Sequence, residues 1–114
     1  MARKWEYYAA PGGGSPVVKE MQKLKLNAWE AARLDDVLDR VAAGRTLPKD
    51  VKALRDGVLE FKLAGHRRTF RMLFAEVDGG LVLLGLHFFA KKTQNARENV
   101  DLAADRLKDW RKRP

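Results

Sequence analysis

Apolar and polar positions recur along the chain with two different periods, and the changes of period mark out the elements. Trp5-Glu6-Tyr7-Tyr8-Ala9 is a short aromatic run that stops at Pro11-Gly12-Gly13-Gly14, the pattern of a strand entering a loop. A helix should follow. Ser15 can accept an exposed N–H as N-cap, Pro16 suits the first helical position, and Val17, Met21 and Leu24 recur at helical spacing. Asn27 and Glu30 then resemble a capping box, Leu34, Val37, Leu38 and Val41 supply a second apolar stripe, and Gly44 is the expected stop. The two helices read as a hairpin whose other face, carrying Glu30, Arg33, Asp35, Asp36, Asp39 and Arg40, is expected to be solvated.

After Leu47-Pro48-Lys49-Asp50 the period drops to two. Leu59, Phe61 and Leu63 alternate with Glu60 and Lys62, and Gly65-His66 opens a turn. From Thr69 to Val77, Phe70, Met72 and Phe74 project to one side, while Arg71, Leu73 and Ala75 project to the other. Asp78-Gly79-Gly80 tolerates the positive φ of a hairpin turn. Leu81 to Phe89 is apolar on both sides, as in a strand with both faces covered. Helical spacing returns from Asn95, with Ala96, Val100, Ala103, Ala104, Leu107 and Trp110 on one side and Glu98 completing a second Asn-x-x-Glu cap. The order β-α-α-β-β-β-α predicts one α+β domain over residues 1–114: a small, mostly antiparallel sheet with an N-terminal helical hairpin and a C-terminal helix.

The 114 residues carry 23 Lys and Arg against 15 Asp and Glu, a net charge of +8. Such a surplus in a small domain suits a polyanionic partner, nucleic acid first among them, and an acidic protein or a merely soluble basic surface otherwise. Without cysteine there is no disulfide, thiolate nucleophile or zinc–cysteine cluster, and a reducing cytoplasm is compatible. No stretch is apolar for long enough to span a membrane, and the start does not read as a secretory signal. Gly12-Gly13-Gly14 lacks the residues of a phosphate loop, and two isolated histidines make a poor metal set, so neither a metal nor a cofactor is expected.

The candidate chemistry lies in the cations around the strands: Lys62, His66, Arg67, Arg68, Arg71, His87, Lys91 and Lys92. If the strands form one sheet, Lys62, Arg71 and His87 can share a face, with Lys91 and Lys92 beyond its end. RNA carries its own nucleophile, the 2′-OH. Cleavage therefore needs only a proton acceptor, a proton donor and cations for the developing charge, and Arg, Lys and His supply these. Structural roles compete: dipole compensation for the basic C-terminus, and a cross-strand pair for Arg71 with Glu60.

Three segments, Val51 to Lys62, Thr69 to Phe74 and Leu84 to Gln94, resemble the phage-derived, HigB-like branch of the RelE/ParE toxin superfamily, and Lys91-Lys92-Thr93-Gln94 is the most specific part. The resemblance implies a RelE-like fold and the toxin of a type II toxin–antitoxin system. It further implies a metal-independent, ribosome-dependent mRNA endoribonuclease in the cytoplasm, partnered by an antitoxin of helix-turn-helix type. By position, Arg71 would stabilise the transition state, and Lys91 and Lys92 would hold phosphate. Lys62 stands where the family motif has arginine and loses the bidentate geometry. Phe70 and Phe74 stand where the family has tyrosines, which leaves His87 as the acid–base candidate and His66, Arg67 and Arg68 as further RNA contacts. The same fold also serves ParE-like gyrase inhibitors, and an inactive basic binding protein is a third possibility.

Overall fold

In the computed structural model, which describes residues 2–91 and 96–113, the chain runs β1 (Lys4–Tyr7), α1 (Pro16–Lys23), α2 (Ala28–Ala42), β2 (Val51–Ala53), β3 (Leu59–Ala64), β4 (Thr69–Val77), β5 (Val82–Ala90) and α3 (Ala96–Arg111). The helices start and stop where their caps dictate. Ser15 Oγ accepts from Val18 N–H, and Asn27 and Glu30 exchange both capping-box bonds, at 2.8 and 3.0 Å. Gly44 ends α2 at φ +70°, a left-handed turn that lets Arg45 N–H reach the Arg40 carbonyl.

One sheet runs in the order β1-β5-β4-β3-β2, antiparallel except where β1 joins β5 in parallel. The expected α+β architecture holds with one addition: β2, a three-residue edge strand, is too short to display a period. Leu59, Phe61 and Leu63 lie in register with Phe74, Met72 and Phe70, forming the apolar face toward α2, where Trp5 Nε1 donates to the Leu38 carbonyl. The opposite face carries Leu73, Ala75 and Leu84, with Ala103 and Leu107 of α3 buried. Cover on both sides explains why β5 is buried from Val82 through Phe88.

Two irregularities shape the middle of the sheet. Leu73 pairs with His87 but Phe74 pairs with Gly85, so Leu86 is an extra, bulged residue. The parity of β5 inverts at that point. His87 thereby faces the same side as Leu73 and Arg71, whereas an unbroken register would turn it toward α2. The second irregularity is the early end of β1, whose last pairing is Tyr7 with Gly85. Beyond it, Arg106 Nη1 donates to the Leu86 carbonyl at 2.8 Å and Glu20 Oε1 accepts from Phe88 N–H at 3.1 Å. Arg106 and Glu20 form an ion pair at 2.9 Å, so an ionic clip from α3 and α1 replaces the missing strand. Gly85 is required here because an added Cβ would meet the Tyr7 ring at 2.6 Å. Among the described residues, no helix is long and apolar enough to cross a membrane.

Candidate nucleic-acid interface

The alternation that buries Phe61 and Met72 places Lys62 directly opposite Arg71 on the other face of the sheet. Arg71 in turn opposes Phe89, and His87 stands two residues before Phe89 on that same face, its ring stacked on Phe89 at 4.8 Å. Lys62 is exposed, while the Arg71 side chain keeps 18% of its surface accessible. Lys91 continues the ladder by donating its N–H to the Thr69 carbonyl and presents an exposed side chain just beyond Arg71's neighbour Phe70. Lys92 lies outside the described residues, as do Thr93, Gln94 and the Asn95 cap.

Arg71 is held yet incompletely satisfied. Its Nη1 donates to Oε2 of the buried Glu60 carboxylate at 3.2 Å, whereas its Nε is buried with no partner among the described residues. An unmatched buried donor costs about 1–3 kcal/mol, and a guanidinium with donors to spare is a ready anion ligand. The cross-strand pair with Glu60 is thus real, and it steadies the arginine without saturating it.

His87 is only 7% exposed. Its Nε2 lies 2.8 Å from Asn99 Oδ1 on α3, and its Nδ1 lies 3.0 Å from Glu20 Oε1 on α1 but is poorly aligned for a hydrogen bond. Burial would raise the Glu20 carboxyl, yet the His87 ring, the Phe88 N–H and Arg106 together hold it below its ordinary value. His87, the acid–base candidate of the sequence, is therefore enclosed between side chains of α1 and α3. Neither Glu20 nor Asn99 stands out in the sequence, because each is a single polar position within an otherwise ordinary helical pattern.

The β3–β4 turn divides its three cations. His66 and Arg67 are exposed, and Arg67 takes φ +58°. Arg68 does not project freely: its Nε and Nη2 donate to both oxygens of Glu30, at 3.1 and 2.9 Å, and its guanidinium lies 4.6 Å over the Phe70 ring. Glu30 departs from the solvated face expected for it, being 1% exposed, because it also accepts N–H bonds from Asn27 and His66. The Arg68 guanidinium, then the Asn27 N–H, and the His66 N–H outweigh burial and hold the Glu30 carboxyl down at about 2. Among the described residues no group of His, Asp and Glu is placed to hold a metal ion.

A family described as "Phage derived protein Gp49-like" matches residues 17–108, which include β3, β4, β5 and most of α3. The chain belongs to the phage-derived Gp49-like family. Among solved structures, this Gp49-like chain is similar to the E. coli toxin RelE, determined as an arginine double mutant in the free state. The TM-score is 0.64 at 20% sequence identity, covering 94% of this chain and 99% of that one. A search of the curated proteins returns no match. The fold is RelE-like, and the resemblance drawn from the strand motifs holds at the level of family and fold.

Proposed function

We propose that this Gp49-like protein is the toxin of a type II toxin–antitoxin pair and acts as a metal-independent endoribonuclease on mRNA at the ribosome. The observation that carries the reading is the direct opposition of Lys62 and Arg71 on an accessible sheet face, with Arg71 steadied by Glu60 and Lys91 at the strand's end. In the proposed reaction the 2′-oxygen bonds to the adjacent phosphorus and passes its proton to solvent water as the bond to the 5′-oxygen breaks and that oxygen takes a proton from water. The products are a 2′,3′-cyclic phosphate and a 5′-hydroxyl that has gained a proton. Arg71 stabilises the added charge on the phosphorane, using donors that Glu60 leaves unspent. Lys62 and Lys91, with Lys92, hold the flanking phosphates.

His87 takes a positioning role in this reading, since its contacts with Asn99 and Glu20 tie the start of α3 to the site. An acidic antitoxin segment would be attracted by the +8 charge and could cover the same face. The test is primer extension on a defined mRNA with purified protein, with and without translating ribosomes, beside Arg71→Ala. Cuts that need ribosomes and vanish in the variant support the proposal. Absence of cuts in both conditions overturns it and turns attention to DNA supercoiling, the readout of a ParE-like gyrase inhibitor.

A further inference from the structure

A second cationic surface, a groove reached from the exposed end of α2, lies beyond the face that carries Arg71. Trp29 is 54% exposed on the first turn of that helix, an unusual place for so large a ring. The Arg33 guanidinium lies 5.0 Å over it, and Arg33 Nε is anchored at 3.1 Å on the carbonyl of Ala64, two residues along β3 from Lys62. Trp29, Arg33, Asp36 and Arg40 follow at spacings of four, three and four, so they form one stripe about 16 Å long. At its far end Arg40 enters a groove of about 220 Å³ that is also lined by Lys49, Lys52 and Lys62. All three lysines are exposed.

The groove is lined by four cations, Arg40, Lys49, Lys52 and Lys62, against two carboxylates, Asp50 and Glu60. Asp36 pairs with Arg40 at 3.3 Å, Asp50 accepts the Leu47 N–H at 2.8 Å, and Glu60 holds Arg71. Lys62 belongs both to the groove and to the Arg71 face, which makes the two surfaces continuous.

We propose that the α2 stripe and its groove form a track for single-stranded RNA, with Trp29 stacking on a base at one end and the lysines following the phosphates. The proposal rests on the nuclease reading for its direction, since the track leads to Arg71, but its chemistry stands separately. The stripe and groove together offer one ring braced by Arg33 and four exposed cations, Arg40, Lys49, Lys52 and Lys62. That combination matches the sequence-tolerant stacking and backbone tracking of single-strand binders.

The test is fluorescence anisotropy of a labelled, unstructured RNA of about 12 nucleotides at low salt, with cleavage measured in parallel. Trp29→Ala weakens binding by about 5- to 100-fold, and Trp29→Phe recovers most of the loss. Circular dichroism checks that both variants remain folded. Arg40→Gln makes the dependence of log affinity on log salt shallower by about 0.7. Binding by Trp29→Ala equal to that of the parent overturns the track. Tight, Trp29-dependent binding without cleavage at the ribosome overturns the nuclease reading and supports the track. Cleavage together with Trp29-independent binding does the reverse.

Discussion

Two arginine–carboxylate pairs bridge neighbouring parts of the same sheet end, and they are built to opposite specifications. Glu30 receives both prongs of Arg68 and two backbone N–H groups, so the pair is closed and every charge is answered. Glu60 receives a single contact from Arg71, whose Nε is left buried and unmatched. The first pair uses its cation to fix α2 against the β3–β4 turn. The second holds its cation in place with Nε unmatched among the described residues and 18% of the side chain still accessible. Net charge does not separate the two arginines; hydrogen-bond saturation does.

The largest expected effect comes from breaking the open pair. Arg71→Ala lowers ribosome-dependent cleavage by at least about 100-fold with unchanged circular dichroism, as expected for losing a donor aimed at transition-state charge. A fully active variant would remove Arg71 from the site. Breaking the closed pair should instead cost stability. Glu30→Ala strands Arg68 and frees two N–H groups, and thermal melting should show a fall in Tm of about 10 °C. Because the folded-state carboxyl of Glu30 is depressed to about 2, its contribution is present above the ordinary carboxylate range and is lost as pH falls toward 2. Acid titration of Glu30→Gln should therefore lack part of the destabilisation seen in the parent over that window.

Two smaller changes sharpen the contrast. His87→Gln, which can still bridge toward Asn99, should reduce cleavage by less than about 10-fold and leave the pH profile in place. A loss of about 100-fold or more would assign His87 the proton-carrier role instead. Lys62→Arg returns a planar fork opposite Arg71 and should raise cleavage a few-fold, measured as initial rate on the same mRNA. An unchanged rate would mean that Lys62 contributes charge alone.

The elements legible in the sequence are those whose signals are local. Ser15, Asn27 and Gly44 act within one turn of their helices, and the two-residue period of β3 and β4 is enough to put Lys62 and Arg71 on one face. Elements decided at a distance are not legible. The parallel seat of β1 beside β5, the three residues of β2 and the bulge at Leu86 depend on neighbours far along the chain. Glu30 shows both cases at once: its capping box with Asn27 is local and readable, whereas its grip on Arg68 joins residues 38 positions apart. The enclosure of His87 has the same origin, since Glu20 and Asn99 come from two different helices.

The sheet order also sets a schedule for assembly. β3 and β4 are joined by a short turn and can pair as soon as both have left the ribosome, but β1, made first, has to wait for β5 before it gains a partner. The clip of Glu20 and Arg106 waits longer still, for α3. A nascent chain stalled after β4 would display Lys62 and Arg71 on β3 and β4 without Phe89, Lys91 or α3. The face that carries Lys62 and Arg71 is therefore complete only once β5 and α3 have followed β4 out of the ribosome.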